Sequence, residues 1–412
     1  MRKGSTSPTR PLTVVGLFAG VGGIELGMER SGHSTKLLCE IDPAANEVLA
    51  AHFPDVRRVR DIRDLERLPR RIDLVTAGFP CQDLSQAGAT RGLAGKRSSL
   101  VSHVFRLLGE SSADWILLEN VPFMLQLGRG AAMAYVVEQL ERLDYRWAYR
   151  IIDSRAFGLP HRRERVFLLA SRRHAPEHVL FSDDVACRLP SDEAASAFGF
   201  YWTEGLRGLG WAADSVPTLK GGSSVGIPSP PAIWFKRGEI VTPDIRDAER
   251  LQGFPVDWTR PAERVVRPGY RWTLVGNAVT VDVARWIGRK LLSPPEPRVR
   301  LAVPLEQQGR WPRAAYGHER RRFEVAIGSW PIATTSEPIA SFLHFPTKPL
   351  SSRAATGFLS RLQKSCLRYP PAFADALAAQ IERMMERPTP EPVSKSRSTR
   401  QLRSRQVRRA SV

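Results

Sequence analysis

The chain has 412 residues, 42% apolar and 25% charged, with 61 Lys and Arg against 42 Asp and Glu, a formal charge of +19. This near-average composition excludes a largely disordered chain, and the length accommodates two or three domains of about 150 residues. The charge makes nucleic acid the first partner to consider and an anionic membrane the second, while no apolar run reaches the ~18 residues that span a bilayer. The opening Met1-Arg-Lys-Gly and the apolar Leu12–Phe18 imitate a signal peptide. The run is short, however, has no small-residue cleavage site and passes into a glycine loop, so it reads as a first core strand. Cys39, Cys81, Cys187 and Cys366 are widely spaced. They make neither a disulfide framework nor a metal pair; a reducing cytosol is expected and no metal site.

From Leu12 to about Ala170, short apolar runs alternate with amphipathic segments, the pattern of a parallel α/β sheet with helices on its faces. The strand-like runs are 13–18, 36–40, 73–77, 115–119 and 165–170, and helices are expected over 24–30, 43–52, 100–109 and 133–143. From Ser171 to Ile245 the chain turns rich in Gly, Pro and Ser with scattered tryptophans, a smaller domain with many loops. Regular pattern resumes at 246–292, where Val281–Leu291 reads as a helix returning to the first domain. Residues 293–386 are proline-rich and then helical in pattern, as in 373–382, and are expected to be an accessory region. Residues 387–412 carry eight basic residues and one acidic residue and read as a disordered tail.

The chemistry-bearing residues fall at strand ends. Leu17-Phe-Ala-Gly-Val-Gly-Gly23 joins the first strand to a helix, and Glu40 ends the second strand, twenty residues past Gly20. Glycines at such a turn admit a ligand to the backbone, and an acidic residue there can accept both ribose hydroxyls. No phosphate-cradling Lys-Ser or Lys-Thr follows, so an adenosine ligand without a phosphate, such as S-adenosylmethionine, is favoured over a nucleotide. The third strand delivers Gly78-Phe-Pro-Cys81-Gln-Asp-Leu-Ser85, and Cys81 is a candidate nucleophile. The loop 87–99 combines Gly88, Gly92 and Gly95 with Arg91, Lys96 and Arg97, as a lid over nucleic acid would. Glu119 ends the fourth strand, where a partly buried carboxyl could stay protonated and donate to a ring nitrogen. Strand alternation would put His161, Arg163 and Arg165 on one face.

In this order these blocks resemble the C5 cytosine DNA methyltransferase family over residues 12–292. Phe18-Ala-Gly-Val-Gly-Gly resembles the cofactor loop, Gly78-Phe-Pro-Cys-Gln the nucleophile loop and Glu119-Asn-Val the protonating strand end. His161-x-Arg-x-Arg165 resembles the base-contacting strand, 246–255 the block organising target recognition, and Gly276-Asn277-Ala-Val279 the final block. The resemblance implies a Rossmann-like doubly wound methyltransferase sheet with catalytic residues 1–170 and 246–292 and an inserted target recognition domain at 171–245, while residues 294–412 have no shared counterpart in the family. It also implies that Cys81 adds to cytosine C6 while Glu119 engages N3, Arg165 holds O2, and Arg163 and Asn277 assist. S-adenosylmethionine would meet Phe18, Gly20, Gly22, Gly23, Glu40, Ile41, Asp61, Ile62, Pro80 and Asn277. DNA contacts are expected from Ser85, Arg97, Thr218 and Lys220.

Two positions depart from the family pattern, His161 where Gln is common and Thr280 where Pro is usual. The expected partner of this enzyme is double-stranded DNA, acted on by a cytoplasmic, nucleoid-associated monomer, in bacterial or phage restriction–modification or as an orphan methyltransferase. A restriction endonuclease would be a functional rather than a physical partner. An RNA cytosine methyltransferase is the first rival, although its Cys-Phe-Thr element is absent. A catalytically silent DNA-binding relative is the second, disfavoured by the intact Cys81, Glu119 and Arg165.

Overall fold

The computed structural model describes residues 10–80, 100–187, 189–221, 228–293, 301–305 and 310–386. Seventeen strands lie among them. They are β1 Thr13–Leu17, β2 Ser34–Cys39, β3 Arg57–Val59, β4 Leu74–Ala77, β5 Trp115–Asn120, β6 Arg146–Asp153, β7 His161–Arg162 and β8 Glu164–Ser171 in the first half. They continue as β9 Ala197–Phe200, β10 Ala212–Ala213, β11 Val216–Pro217, β12 Ala232–Phe235, β13 Ile240–Thr242, β14 Ala302–Pro304, β15 Ala314–His318, β16 Arg321–Val325 and β17 Lys348–Pro349.

The large sheet has ten strands in the order β14-β16-β15-β6-β8-β5-β4-β1-β2-β3. Strands β5, β4, β1, β2 and β3 are parallel. Helices α1 Gly23–Glu29, α2 Pro43–His52, α3 Leu100–Gly109, α4 Ala131–Arg142 and α5 Pro176–Leu180 follow in the chain, and two apolar clusters cover the sheet's faces. Asp42 caps α2, its side chain accepting from the Ala44 and Ala45 amides. Further on come α6 Ile245–Arg250, α7 Arg271–Asn277 and α8 Val281–Leu292. Helix α8 returns to α1 as expected, and the contact depends on small residues. A Cβ on Gly27 would stand 2.6 Å from the Ala284 Cβ, and one on Gly23 2.4 Å from the Val279 carbonyl oxygen.

The fifth expected strand differs in direction. β8 is antiparallel to both β5 and β6. Only residues 154–163 connect β6 to β8, fewer than a parallel crossover needs, so the chain can enter the sheet only by reversing. β6 itself does not read as a strand in the sequence because Arg146, Arg150 and Asp153 interrupt its apolar pattern. Arg150 is nonetheless fully buried. Its guanidinium donates to the carbonyls of Leu180, Asp183 and Gly328 and to the Asp184 carboxylate.

Residues 301–386 join both sheets. β15 pairs with β6, and β14 and β16 extend the large sheet outward from it. β17 instead joins the sheet of the inserted domain, order β10-β9-β12-β13-β17. The helices α9 Ile339–Phe342, α10 Ser352–Gln363 and α11 Pro371–Glu386 complete the chain. Phe358 and Phe373 pack with Phe198, Phe200 and Trp234 in one cluster. The physical reason is apolar area: the insert's sheet carries Phe198, Phe200 and Trp234 on one face, and the distant helices bury them. No helix among the described residues is long and apolar enough to cross a membrane. Phe373→Ala should cost about 3–5 kcal/mol, the usual range for emptying a buried aromatic site, read as a lowered urea midpoint of the whole chain.

Candidate active site

The ends of β1, β2, β4 and β5 border one open cavity of about 630 Å³, within the usual ligand range of roughly 300–1,000 Å³. Its position at the strand ends of an α/β sheet is where such folds hold ligands. Phe18, a non-glycine residue, sits at φ 54° and Gly20 at φ 56°, so the loop after β1 takes left-handed turns that bring its backbone to the cavity wall.

Glu40 reaches back across this loop. One carboxylate oxygen accepts from the Gly20 amide at 2.7 Å and the other from the Asp42 amide at 2.8 Å. Burial pushes the Glu40 carboxyl up, against the pull of these backbone donors. Both oxygens keep lone pairs for further donors such as vicinal hydroxyls. Beside it Ile41 is 58% exposed, a large apolar side chain on the cavity wall. Asp61 and Ile62 line the same end. Arg63 grips the Asp61 carboxylate and holds its pKa down to about 2. Three carboxylates, Glu40, Asp42 and Asp61, thus face this end. They suit a hydroxyl-bearing or cationic ligand and repel a polyphosphate. Of the expected ligand contacts, Phe18, Gly20, Glu40, Ile41, Asp61, Ile62, Pro80 and Asn277 line the cavity. Gly22 and Gly23 do not. A Cβ on Gly22 would meet the Phe53 ring at 2.6 Å, so these two glycines serve the packing of the loop against α2 and α8.

At the other end, Glu119 is buried at the close of β5 and Arg165 Nε lies 3.1 Å from one of its carboxylate oxygens. Burial raises the Glu119 pKa, and Arg165 and then Arg163 oppose the rise. The neighbouring Asn120 donates to the Phe79 carbonyl at 3.0 Å, which fixes the backbone leading to Pro80. Cys81, Ser85, Arg97 and the loop 87–99 lie outside the described residues.

His161 lies away from the face expected for it, while Arg163 borders the cavity with Arg165. The Arg163 guanidinium donates to the carbonyls of Leu219, Gly276 and Ala278. It borders the cavity, but what it holds is backbone. His161 is fully buried and absent from the cavity wall. Its Nδ1 lies 3.1 Å from the Leu251 carbonyl oxygen, and its Nε2 accepts from the Leu219 amide at 3.0 Å. Only the neutral Nδ1–H tautomer satisfies both, and burial pushes its pKa well below the usual histidine value. A glutamine could make the same two bonds. The Thr280 hydroxyl, where proline is usual, donates to Gln252 Oε1 and meets Ser154 Oγ at 2.8 Å, contacts that a proline would lack.

In the inserted domain, Thr218 donates its hydroxyl to the Arg162 carbonyl, so it serves the junction with β7. Lys220 is 41% exposed, pairs with Glu204 and lies 3.7 Å over the Tyr201 ring. Sequence reasoning missed three further supports. Gln252 donates to the Val275 and Ala278 carbonyls. The Trp258 indole donates to the Val21 carbonyl and stacks on His52 at 3.6 Å. The Tyr270 hydroxyl donates to Asp42 beside Ile41. The tryptophan and tyrosine lie in the regular segment after 246, so their only signal was an aromatic side chain in a polar stretch.

The sequence model of the C-5 cytosine-specific DNA methylase family matches residues 12–195. The chain is similar to the Type II methyltransferase M2.BsuMI of Bacillus subtilis strain 168, 46% identical over 390 residues, covering 91% of this chain and all of that protein. It is also similar to the Type II methyltransferase M.DsaV of Dactylococcopsis salina, 29% identical over 317 residues, covering 69% of this chain and 87% of that one. The solved structure of the S. pombe Dnmt2 methyltransferase shares the fold, with a TM-score of 0.52 and 18% identity over 69% of this chain and 99% of that one.

His161→Gln should keep wild-type stability. His161→Leu leaves a buried N–H and a buried carbonyl unpaired, at about 1–3 kcal/mol each. The folded state lowers the His161 pKa, so below about 6.5 the unfolded chain binds the proton more readily and stability falls as pH falls. A melting series from pH 8 to pH 5 should show less of this loss in the Gln variant than in wild type.

Proposed function

Because the chain belongs to the C-5 cytosine-specific DNA methylase family, we propose that it methylates C5 of a cytosine flipped out of a short duplex DNA sequence. The observation that carries this reading is the buried Glu119 carboxyl, raised in pKa and paired with Arg165, beside the strand end that leads to Cys81. A nucleotide in stacked DNA would present no face to this cavity, so the base must leave the helix, at a cost of a few kcal/mol.

The cavity fits S-adenosylmethionine. Glu40 would accept the ribose hydroxyls, Ile41 and Ile62 would pack on the adenine, Asp61 would accept from its amino group, and Phe18, Gly20, Pro80 and Asn277 would line the rest. When bound, this cofactor supplies the methyl group that C5 accepts.

Cytosine C5 is a weak nucleophile, and the protein's side chains change that. The Cys81 thiolate adds to C6 and forms a C–S bond, while the displaced π electrons are shared toward C5 and N3. Glu119, biased by burial toward its protonated form, engages N3, and Arg165 donates to O2, so both oppose the charge that develops on the ring. Once C5 is methylated, its proton leaves to a base and the C–S bond breaks, which restores the aromatic ring and the thiolate. Arg163 acts by holding the Gly276–Ala278 segment and hence Asn277. Ser85, Arg97, Thr218 and Lys220 would contribute DNA contacts or the junctions behind them. The chain would serve as the modification enzyme of a Type II system, with an endonuclease as functional partner.

DNA carrying 5-fluorocytosine lacks the C5 proton that must leave, so it should trap a covalent complex that survives denaturation and vanishes in Cys81→Ala. An active, cofactor-bound protein that forms no such complex on duplex DNA would refute the covalent mechanism. Glu119→Gln should lower kcat by about 10²- to 10⁴-fold, the usual worth of a positioned acid, with cofactor affinity unchanged. Glu40→Ala should weaken S-adenosylmethionine binding about 10- to 100-fold by calorimetry, as expected for lost charge-assisted hydrogen bonds.

A further inference from the structure

We infer that Arg361, on the C-terminal helix α10, is a specificity-positioning residue: it fixes the 201–205 turn, whose Glu204 carboxylate sets where Lys220 points, beside the cavity residues Gly276 and Asn277. The inference rests on the DNA-methylating reading above.

The contacts form a continuous path. Arg361 Nε donates to the Glu204 carbonyl at 2.7 Å and Nη2 to the Trp202 carbonyl at 2.9 Å. These are the backbone acceptors of a turn 157 and 159 residues earlier in the chain. Phe358, one helical turn before Arg361, presses on the same turn. Gly205 has φ 108°, and a Cβ there would stand 3.1 Å from the Phe358 ring. The Glu204 side chain, carried by this turn, pairs with the Lys220 ammonium, which also lies over the Tyr201 ring. The Tyr201 hydroxyl donates to the Thr218 carbonyl and secures the strand on which Lys220 follows.

Beyond Lys220 the path enters the active site. Thr273 donates to the Gly221 carbonyl. A Cβ on Gly221 would stand 3.1 Å from Asn277 Oδ1, and one on Gly276 2.5 Å from the Lys220 carbonyl carbon. A lysine free to sample its rotamers binds any phosphate within reach. Held by a carboxylate and an aromatic face, it meets DNA in one direction and discriminates between sequences. Residues 338–374 contain five Lys and Arg and no Asp or Glu, so α10 adds no carboxylate to repel the DNA backbone.

The test uses the full chain and two duplexes, one carrying the sequence that the wild type methylates, identified by bisulfite sequencing, and one carrying a single base change in it. In Arg361→Ala the ratio of kcat/KM between them should fall about tenfold, as expected for ~1.4 kcal/mol of lost positioning, through KM rather than kcat. Arg361→Lys should recover part of the ratio. Glu204→Gln should lose a similar factor, and combining it with Arg361→Ala should add little, since both act through one path. An unchanged ratio in folded Arg361→Ala, or losses that multiply in the double variant, would overturn the inference. Should Arg361→Ala fail to fold, the exposed Glu204→Gln decides alone: an unchanged ratio overturns it and a lowered one supports it. A wild-type chain that methylates neither duplex, nor any other DNA, would instead overturn the reading beneath it.

Discussion

One buried guanidinium holds the wall of the cavity to the insert. Arg163 follows the two-residue strand β7 and donates to carbonyls at Leu219, Gly276 and Ala278, the last two more than a hundred residues further along the chain. Such a charge is tolerable inside a protein only when its donors meet oriented acceptors, because an unpaired buried ion costs several kcal/mol. The three carbonyls therefore have little freedom to move. His161 and Gln252 tie the same segments together by neutral bonds. The result is that the backbone segments around Asn277, Leu219 and the start of β8 share one rigid frame, which ties the loop-rich insert to the wall of the cavity.

The cavity gains its chemistry from contrast between its ends. At one end three carboxylates gather, with Asp61 kept ionised by Arg63. At the other, burial drives Glu119 toward its protonated form while Arg165 moderates the shift. Identical functional groups are thus biased toward the charged form in one place and toward the protonated form in the other, according to solvent and neighbours. The strand ends that deliver them lie side by side in the sheet, β2 and β1 for the first and β4 and β5 for the second.

Much of this was readable from residue patterns. The runs at β1, β2, β4 and β5 are apolar because both sheet faces are covered, and helices 43–52 and 100–109 were found at their observed bounds. Glu40 and Glu119 stood out by their place at the ends of apolar strands, and Glu40 also by its spacing of twenty residues from Gly20. β6 was not legible, since its Arg150 looks like solvent-facing charge until four partners from residues 180–184 and 328 surround it. The burial of His161 was hidden for a related reason. Alternation along a strand identifies a face but not what lies opposite it, and here backbone from α6, α7 and the insert fills the space meant for a base. The C-terminal strands and helices were hidden because their partners lie far back in the sequence.

That last arrangement has a consequence for how the chain is made. β15 covers the edge of β6, and α10 and α11 cover the aromatic face of the insert. On the ribosome, both lobes must therefore wait for the final third of the polypeptide with a bare sheet edge and uncovered Phe and Trp side chains. Unpaired edges of this kind invite association with other chains. A transcript cut short before residue 314 would yield a sticky product instead of a weakened enzyme, so the cell would meet either the complete modifying protein or an aggregate for its proteases to remove.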